Sequence, residues 1–251
     1  MTKTDLIAPA LLVTVLGIWE AACRMGGIPA FILPPPTRIL LAAVSQTALL
    51  LPHAATTLVE IVAGIGLALA VAIPLAVVMH TRPAVERALA PFLIASQAIP
   101  VFALAPLLVV WLGYGLASKV LMAAVIIFFP ITISLLEGFK SCDRDYRILF
   151  DLMGAGSLQA LRRLYWPWAL PYFFAGLKVG VSVATIGAVI GEWVGAQQGL
   201  GYLMIQANAR LKVDLVFAAI LWLSLMGVGL WVLVGIVEKR CLWWQSIQNG
   251  S

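Results

Sequence analysis

Long runs free of charge dominate the chain, and short polar stretches separate them. Ala88 to Ser118 and Leu215 to Val237 contain no Asp, Glu, Lys or Arg, and Val120 to Leu136 is a shorter run of the same kind. Three further runs carry one or two ionisable groups: Ile7 to Cys23 with Glu20, Thr57 to Met79 with Glu60, and Ala169 to Val194 with Lys178 and Glu192. About 20 apolar residues in a helix cross a hydrocarbon core of about 30 Å. The pattern therefore predicts an all-α membrane protein with six transmembrane helices. An additional apolar stretch, Ile39 to Leu51, would reach only about 20 Å as a helix. It follows the rigid Leu33-Pro34-Pro35-Pro36 segment, so it is expected to lie at the outer surface.

Composition agrees with this pattern. Of 251 residues, 63% are hydrophobic and 11% charged, against roughly 25% charged in an ordinary soluble domain. No repeat or low-complexity tract divides the chain, which reads as a single transmembrane domain over 1–251. The first run is expected to be retained as a span and not cleaved as a signal peptide, because Glu20 interrupts it and the single Lys3 is followed two positions on by Asp5. Cys23, Cys142 and Cys241 are expected to be free thiols, being an odd and scattered set.

Basic residues set the orientation. With the amino terminus in the cytoplasm and six spans, Lys3, Arg82, Arg87, Lys140, Arg144, Arg147, Arg162, Arg163, Lys239 and Arg240 fall inside, whereas Arg24, Arg38, Lys119, Arg210 and Lys212 fall outside. This asymmetry follows the positive-inside rule, and both termini are expected in the cytoplasm. The net charge of +5 is thereby explained without a nucleic-acid partner.

The largest inner loop, about 140–167, is the one cytoplasm-facing segment long enough to hold a helix or two. Within it Leu158, Leu161, Leu164 and Tyr165 fall on one side of a helix, and Gln159, Arg162 and Arg163 on the other. Ser157 can cap its start, and Gly154 and Gly156 permit a sharp bend before it. Such a helix could rest on anionic lipid or be gripped by a partner.

The spacing of Gly154, an aliphatic Leu164 after nine intervening residues, and Pro167 resembles the ATPase-docking loop of bacterial ABC-importer permeases. That loop has the form EAA, three residues, Gly, nine residues, Ile, any residue, Leu, Pro. Ile148, Leu149 and Phe150 stand in place of EAA, and Trp166 replaces the Leu. The resemblance extends through SQAIPVFALAPLLVVWLGYG, FFPI, IGAVIGEWVGAQQGLGYLM and DLVFAAI. These are similar to permeases serving nitrate, sulfonate, taurine and pyrimidine-precursor importers, with the match closest to the hydroxymethylpyrimidine (thiamine precursor) group. The resemblance implies the type I importer permease fold in a bacterial inner membrane. It also implies a second copy of the chain or a homologue, two cytoplasmic ATPase subunits, and a periplasmic or lipid-anchored substrate-binding protein. It places ATPase coupling at Gly154, Ser157, Gln159, Arg162, Arg163, Leu164 and Pro167.

The chain lacks a Gly-x4-Gly-Lys-Ser/Thr phosphate loop. It is therefore expected to be no enzyme and to bind no cofactor, with ATP held by the partner subunits. An ion-coupled secondary transporter is the rival class, but it would call for an inverted repeat and paired midplane carboxylates. A membrane enzyme would need clustered nucleophile, base or metal ligands, which His53, His80 and the cysteines do not form.

For the translocation pathway the expected residues are Ser96, Gln97, Pro100, Phe128, Phe129, Glu192 and Trp193. Pro100 removes a helix hydrogen bond beside Gln97, a common way to line a cavity. Glu192 is read either as an interface anchor or as part of the outer gate. The glycines Gly176, Gly180, Gly187, Gly191 and Gly195 allow close helix approach, either within the bundle or at a subunit interface. Aromatic rings, an amide and a carboxyl suit a flat neutral or weakly basic heterocycle, most of all a thiamine pyrimidine precursor. A riboflavin-like cargo comes second and sulfonate, taurine or nitrate third.

Overall fold

The computed structural model describes residues 7–243. Lys3 and Asp5, used above for orientation, lie outside the described residues. The elements are helical: α1 Ile7–Met25, α2 Pro36–Ser45, α3 Thr47–Thr81, α4 Pro83–Ser96, α5 Val101–Leu112, α6 Leu116–Lys140, α7 Arg144–Leu152, α8 Ser157–Ala160, α9 Trp166–Gly195, α10 Leu200–Ala209 and α11 Val213–Cys241, with a π-turn at Leu161–Tyr165 joining α8 to α9.

Among the described residues four helices are long and apolar enough to cross a membrane: α3, α6, α11, and the continuous Ser157–Gly195. A fifth crossing is made by α4 and α5 together, bent by 100°. With the 19 residues of α1 the set is compatible with six spans.

Three expectations change in detail. Ile39 to Leu51 is not one surface helix. The chain breaks at Gln46, and Thr47 to Leu51 form the first turns of α3. The ten-residue α2 buries Ile39, Ala42 and Ala43, packing chiefly on α11. Second, the run Ala88 to Ser118 is no kinked single helix: α4 ends at Ser96 and Pro100 becomes the residue preceding α5. The missing N–H of Pro100 therefore falls in a break where no helical partner is needed. Third, the loop helix and the fifth span are one helix. Pro167 has no N–H to offer the carbonyl of Arg163 and would crowd it. The π-turn at Leu161–Tyr165 widens the helix there, so the chain continues without ending.

The bundle has two distinct ends. At one, Lys140 of α6 pairs with Glu86 of α4, and His80 of α3 packs against Phe139 at 5.0 Å and Tyr165 at 4.5 Å between ring centroids. At the other, Thr57 of α3, Lys119 of α6 and Glu192 of α9 meet. Because α3 and α6 both run from the Glu192 end to the Lys140 end, the broken α4–α5 unit crosses the bundle once.

Gly176, Gly180, Gly187 and Gly191 of α9 face α6, and Gly195 faces Tyr114 and Val109. A β-carbon at Gly176 would lie 2.6 Å from Ser134 Cβ, and one at Gly187 2.9 Å from Ala123 Cα. The glycine stripe therefore serves packing within the chain, the first of the two uses expected for it. Beside it, Ile127, Ile131, Val181, Ala184 and Ala188 form the buried core. The first span is fastened at one end. Glu20 accepts hydrogen bonds from the backbone and hydroxyl of Thr37 and from Arg24, and Trp19 meets Phe217 at 5.9 Å.

Candidate functional site

Three features stand out: the loop at the Lys140 end, the grooves beside α9, and a buried polar cluster at the Glu192 end.

The loop begins with α7. Asp143 caps it, accepting from the Asp145 N–H at 2.9 Å. It stops at Gly154, whose φ of +69° is the left-handed conformation that glycine adopts without penalty. Ser157 is not the cap of the next helix: Gly156 precedes α8, with no side-chain cap. Gly154, Ser157, Gln159, Arg162 and Arg163 are exposed, Pro167 is half-buried, and Leu164 is buried at 8% exposure. Leu164 thus packs into the bundle. On the other hand α7 has no buried residue, and Tyr146, Ile148, Leu149, Leu152 and Met153 are exposed with Leu158. This apolar surface was missed in the sequence, although its signal was present: apolar residues stand where the resembling loops carry EAA.

Beside α9 two grooves share Phe102, Ile186 and Ile190. The first, about 710 Å³, lies between α5, α9 and α11 and is lined also by Ser182, Thr185, Trp193, Ser224 and Trp231. The second, also about 710 Å³, includes Gln97, Pro100 and Phe129. A third hollow, about 480 Å³, takes in Ser96, Gln97 and Phe128. Gln97, Pro100, Phe129 and Trp193 are thus brought onto neighbouring grooves. Glu192 is not with them.

Glu192 is 1% exposed and turns toward α3 and α10. Thr57 donates to its Oε1 at 2.6 Å. The backbone N–H groups of Gly201 and Tyr202 donate to its Oε2. The N–H of Leu200 completes the ring by donating to Thr57 Oγ1 at 2.9 Å, and that of Gly199 donates to His53 Nδ1 at 3.0 Å. The first turn of α10 therefore closes on a carboxylate, where its unpaired N–H groups and dipole favour negative charge. Gly199 has φ +118°, and a β-carbon there would sit 2.2 Å from Glu192 Cδ.

The remaining cations within the bundle are already engaged. Lys119 is buried and its Nζ donates to the carbonyls of Tyr114, Gly115 and Gly195. Lys178 pairs with Glu238 of α11. No group of His, Cys, Asp and Glu able to hold a metal occurs among the described residues.

A bundle of long apolar helices with one broken span and an exposed loop suits a multi-pass membrane protein. The family model for the binding-protein-dependent transport system inner membrane component matches residues 61–242, and the chain belongs to this family. It is 41% identical to a probable ABC transporter permease protein of Haemophilus influenzae, covering 96% of this chain and 99% of that one. It is 40% identical to the formylaminopyrimidine transport permease ThiX of Halalkalibacterium halodurans, over 92% of each chain. It is also 40% identical to the riboflavin transport permease RibX of Chloroflexus aurantiacus, over 95% of this chain and 90% of the relative. The protein is therefore a multi-pass inner-membrane component of an ABC importer, and ATP hydrolysis belongs to a partner ATPase.

Proposed function

We propose that the chain is the permease for a small neutral heterocycle, a pyrimidine precursor of thiamine of the hydroxymethylpyrimidine or formylaminopyrimidine type. The observation that carries this reading is the lining of the first α9 groove: Phe102, Trp193 and Trp231 supply rings and Ser182, Thr185 and Ser224 supply hydroxyls, with no charged side chain among the lining residues. An anion in a low-dielectric passage needs a cation, and Lys119 and Lys178 are already bound elsewhere. Rings and hydroxyls instead suit stacking and hydrogen bonding to a flat neutral solute. The formylaminopyrimidine permease at 40% identity supports the choice. Riboflavin is the second reading, favoured by the equal identity of the riboflavin permease. Nitrate, sulfonate and taurine rank below both.

In this reading two copies of the chain line the passage, with a substrate-binding protein at the Glu192 end and two ATPase subunits at the Lys140 end. The ATPase contact comprises the exposed face of α7 together with Gly154, Ser157, Gln159, Arg162 and Arg163. Both chain termini are cytoplasmic, in keeping with the basic residues gathered at the Lys140 end. The chain itself holds no cofactor. Closure of the ATPases drives alternating access by displacing the loop.

The test is competitive uptake into vesicles carrying the complete importer. Labelled hydroxymethylpyrimidine should enter, with inhibition by excess formylaminopyrimidine and none by taurine or nitrate. Saturable taurine or nitrate uptake without pyrimidine entry would refute the reading, and uptake of riboflavin alone would select the second one.

A further inference from the structure

The short helix α7 sits shallowly on the bundle: none of its residues is buried, only Arg147 and Phe150 are half-buried, and the Tyr146 ring meets Trp168 of α9 at 5.6 Å between centroids. Arg147 is its polar attachment. The Nη2 group donates to the carbonyl of Lys140 at 2.7 Å and to that of Cys142. These carbonyls close the carboxyl end of α6, where unpaired oxygens and the helix dipole attract a cation. The guanidinium also lies 5.9 Å from the ring centroid of Tyr165, within cation–π range. Tyr165 sits in the π-turn leading into α9, and its ring meets His80 in the last turn of α3. One side chain of α7 therefore touches the end of α6 and the start of α9, and through Tyr165 reaches α3. Its Nε is buried without a partner, so the group is held from one edge and can exchange acceptors as α7 moves.

We infer that Arg147 is the positioning residue through which displacement of α7 is transmitted to α3, α6 and α9. The inference rests on the reading of the α7–Gly154 loop as the ATPase contact. A flexible apolar side chain would let α7 tilt without carrying the spans with it. A planar guanidinium held by two carbonyls and a ring resists that tilt, and lysine reproduces the charge but not the fork.

The experiment uses the complete importer in liposomes, comparing Arg147→Ala, Arg147→Lys, Tyr165→Ala and Leu149→Glu. Arg147→Ala should retain its ATPase on purification and keep basal ATP hydrolysis. Stimulation by the loaded binding protein and transport should fall about tenfold, within the usual range for coupled sites. Tyr165→Ala should show the same pattern, with the double variant no worse than either single one, and Arg147→Lys should be intermediate. Parental stimulation and transport in Arg147→Ala would overturn the inference, as would loss of the bound ATPase in that variant. If Arg147→Ala is poorly inserted, Arg147→Lys decides: full stimulation overturns the inference, partial stimulation with intact ATPase binding supports it. Leu149→Glu tests the underlying reading separately. It should release the ATPase, and retention would refute α7 as the contact whatever Arg147 does.

Discussion

Thr57 of α3 and Glu192 of α9, 135 positions apart in sequence, share a buried hydrogen bond of 2.6 Å, and the same hydroxyl accepts from the first N–H of α10. Three helices thus depend on one threonine oxygen. The Glu192 carboxyl, read from sequence either as an interface anchor or as part of the outer gate, holds the first turn of α10.

Thr57→Val keeps the side-chain shape and removes the hydroxyl. It leaves Glu192 Oε1 short of a donor and the Leu200 N–H without an acceptor, each a buried group costing about 1–3 kcal/mol when unsatisfied. The midpoint of thermal unfolding of the purified protein should therefore fall by several degrees, whereas Thr56→Val, at a half-buried site bonded only within its own helix, should change it little. Equal midpoints for the two variants would contradict the polar-lock account.

Gly199→Ala should be more damaging than Gly201→Ala. The β-carbon at 199 would meet the Glu192 carboxyl carbon at 2.2 Å from a backbone with φ +118°, whereas at 201 the nearest contact is 2.9 Å and no left-handed backbone is imposed. Yield of folded protein in detergent checks the order.

At Gly154 a β-carbon has nothing within 4 Å, so substitution is resisted by the backbone and not by neighbours. A branched residue in the left-handed region costs on the order of 1–2 kcal/mol, and asparagine tolerates it. Gly154→Asn should retain most transport and Gly154→Val should lose it, both with normal insertion. Equal transport by the two would show that φ at 154 does not matter to coupling.

The cysteines report on the Lys140 end. Cys142 is 3% exposed, and burial pushes its thiol pKa above the ordinary value, so less thiolate is present at neutral pH. Cys241 is exposed. The expectation from sequence alone would have both react. The structure predicts that an impermeant maleimide labels Cys241 quickly and Cys142 slowly in inside-out vesicles, with neither labelled in intact cells. Raising the pH should speed Cys142. Labelling of Cys241 in intact cells would reverse the proposed orientation.

Much of the fold was legible because long charge-free runs admit few structures other than helices in lipid. The runs gave α1, α3, α6, α9 and α11 with shifted ends. What stayed hidden depended on partners distant in sequence. Nothing local to Glu192 reveals that Thr57 and the α10 N-terminus surround it, so its position in a span suggested only an interface anchor or a gate. Pro100 signalled an interruption, but the size of the turn between α4 and α5 follows from packing distant in sequence, of α4 on α3 and of α5 on α6 and α9. The loop was located by Gly154 and Pro167, yet its exposed apolar face lies on α7, ahead of the glycine. Leu164, counted as a contact from its spacing, is drawn into the bundle by the π-turn that Pro167 induces.

The most direct test of the account is ATP hydrolysis by the complete importer in lipid nanodiscs, as a function of the ligand on its binding protein. Binding protein loaded with hydroxymethylpyrimidine or formylaminopyrimidine should raise hydrolysis well above the ligand-free level, and Trp193→Ala should abolish transport of that cargo while leaving the ATPase bound. Stimulation by taurine or nitrate with none by either pyrimidine would contradict the assignment of a neutral heterocyclic cargo.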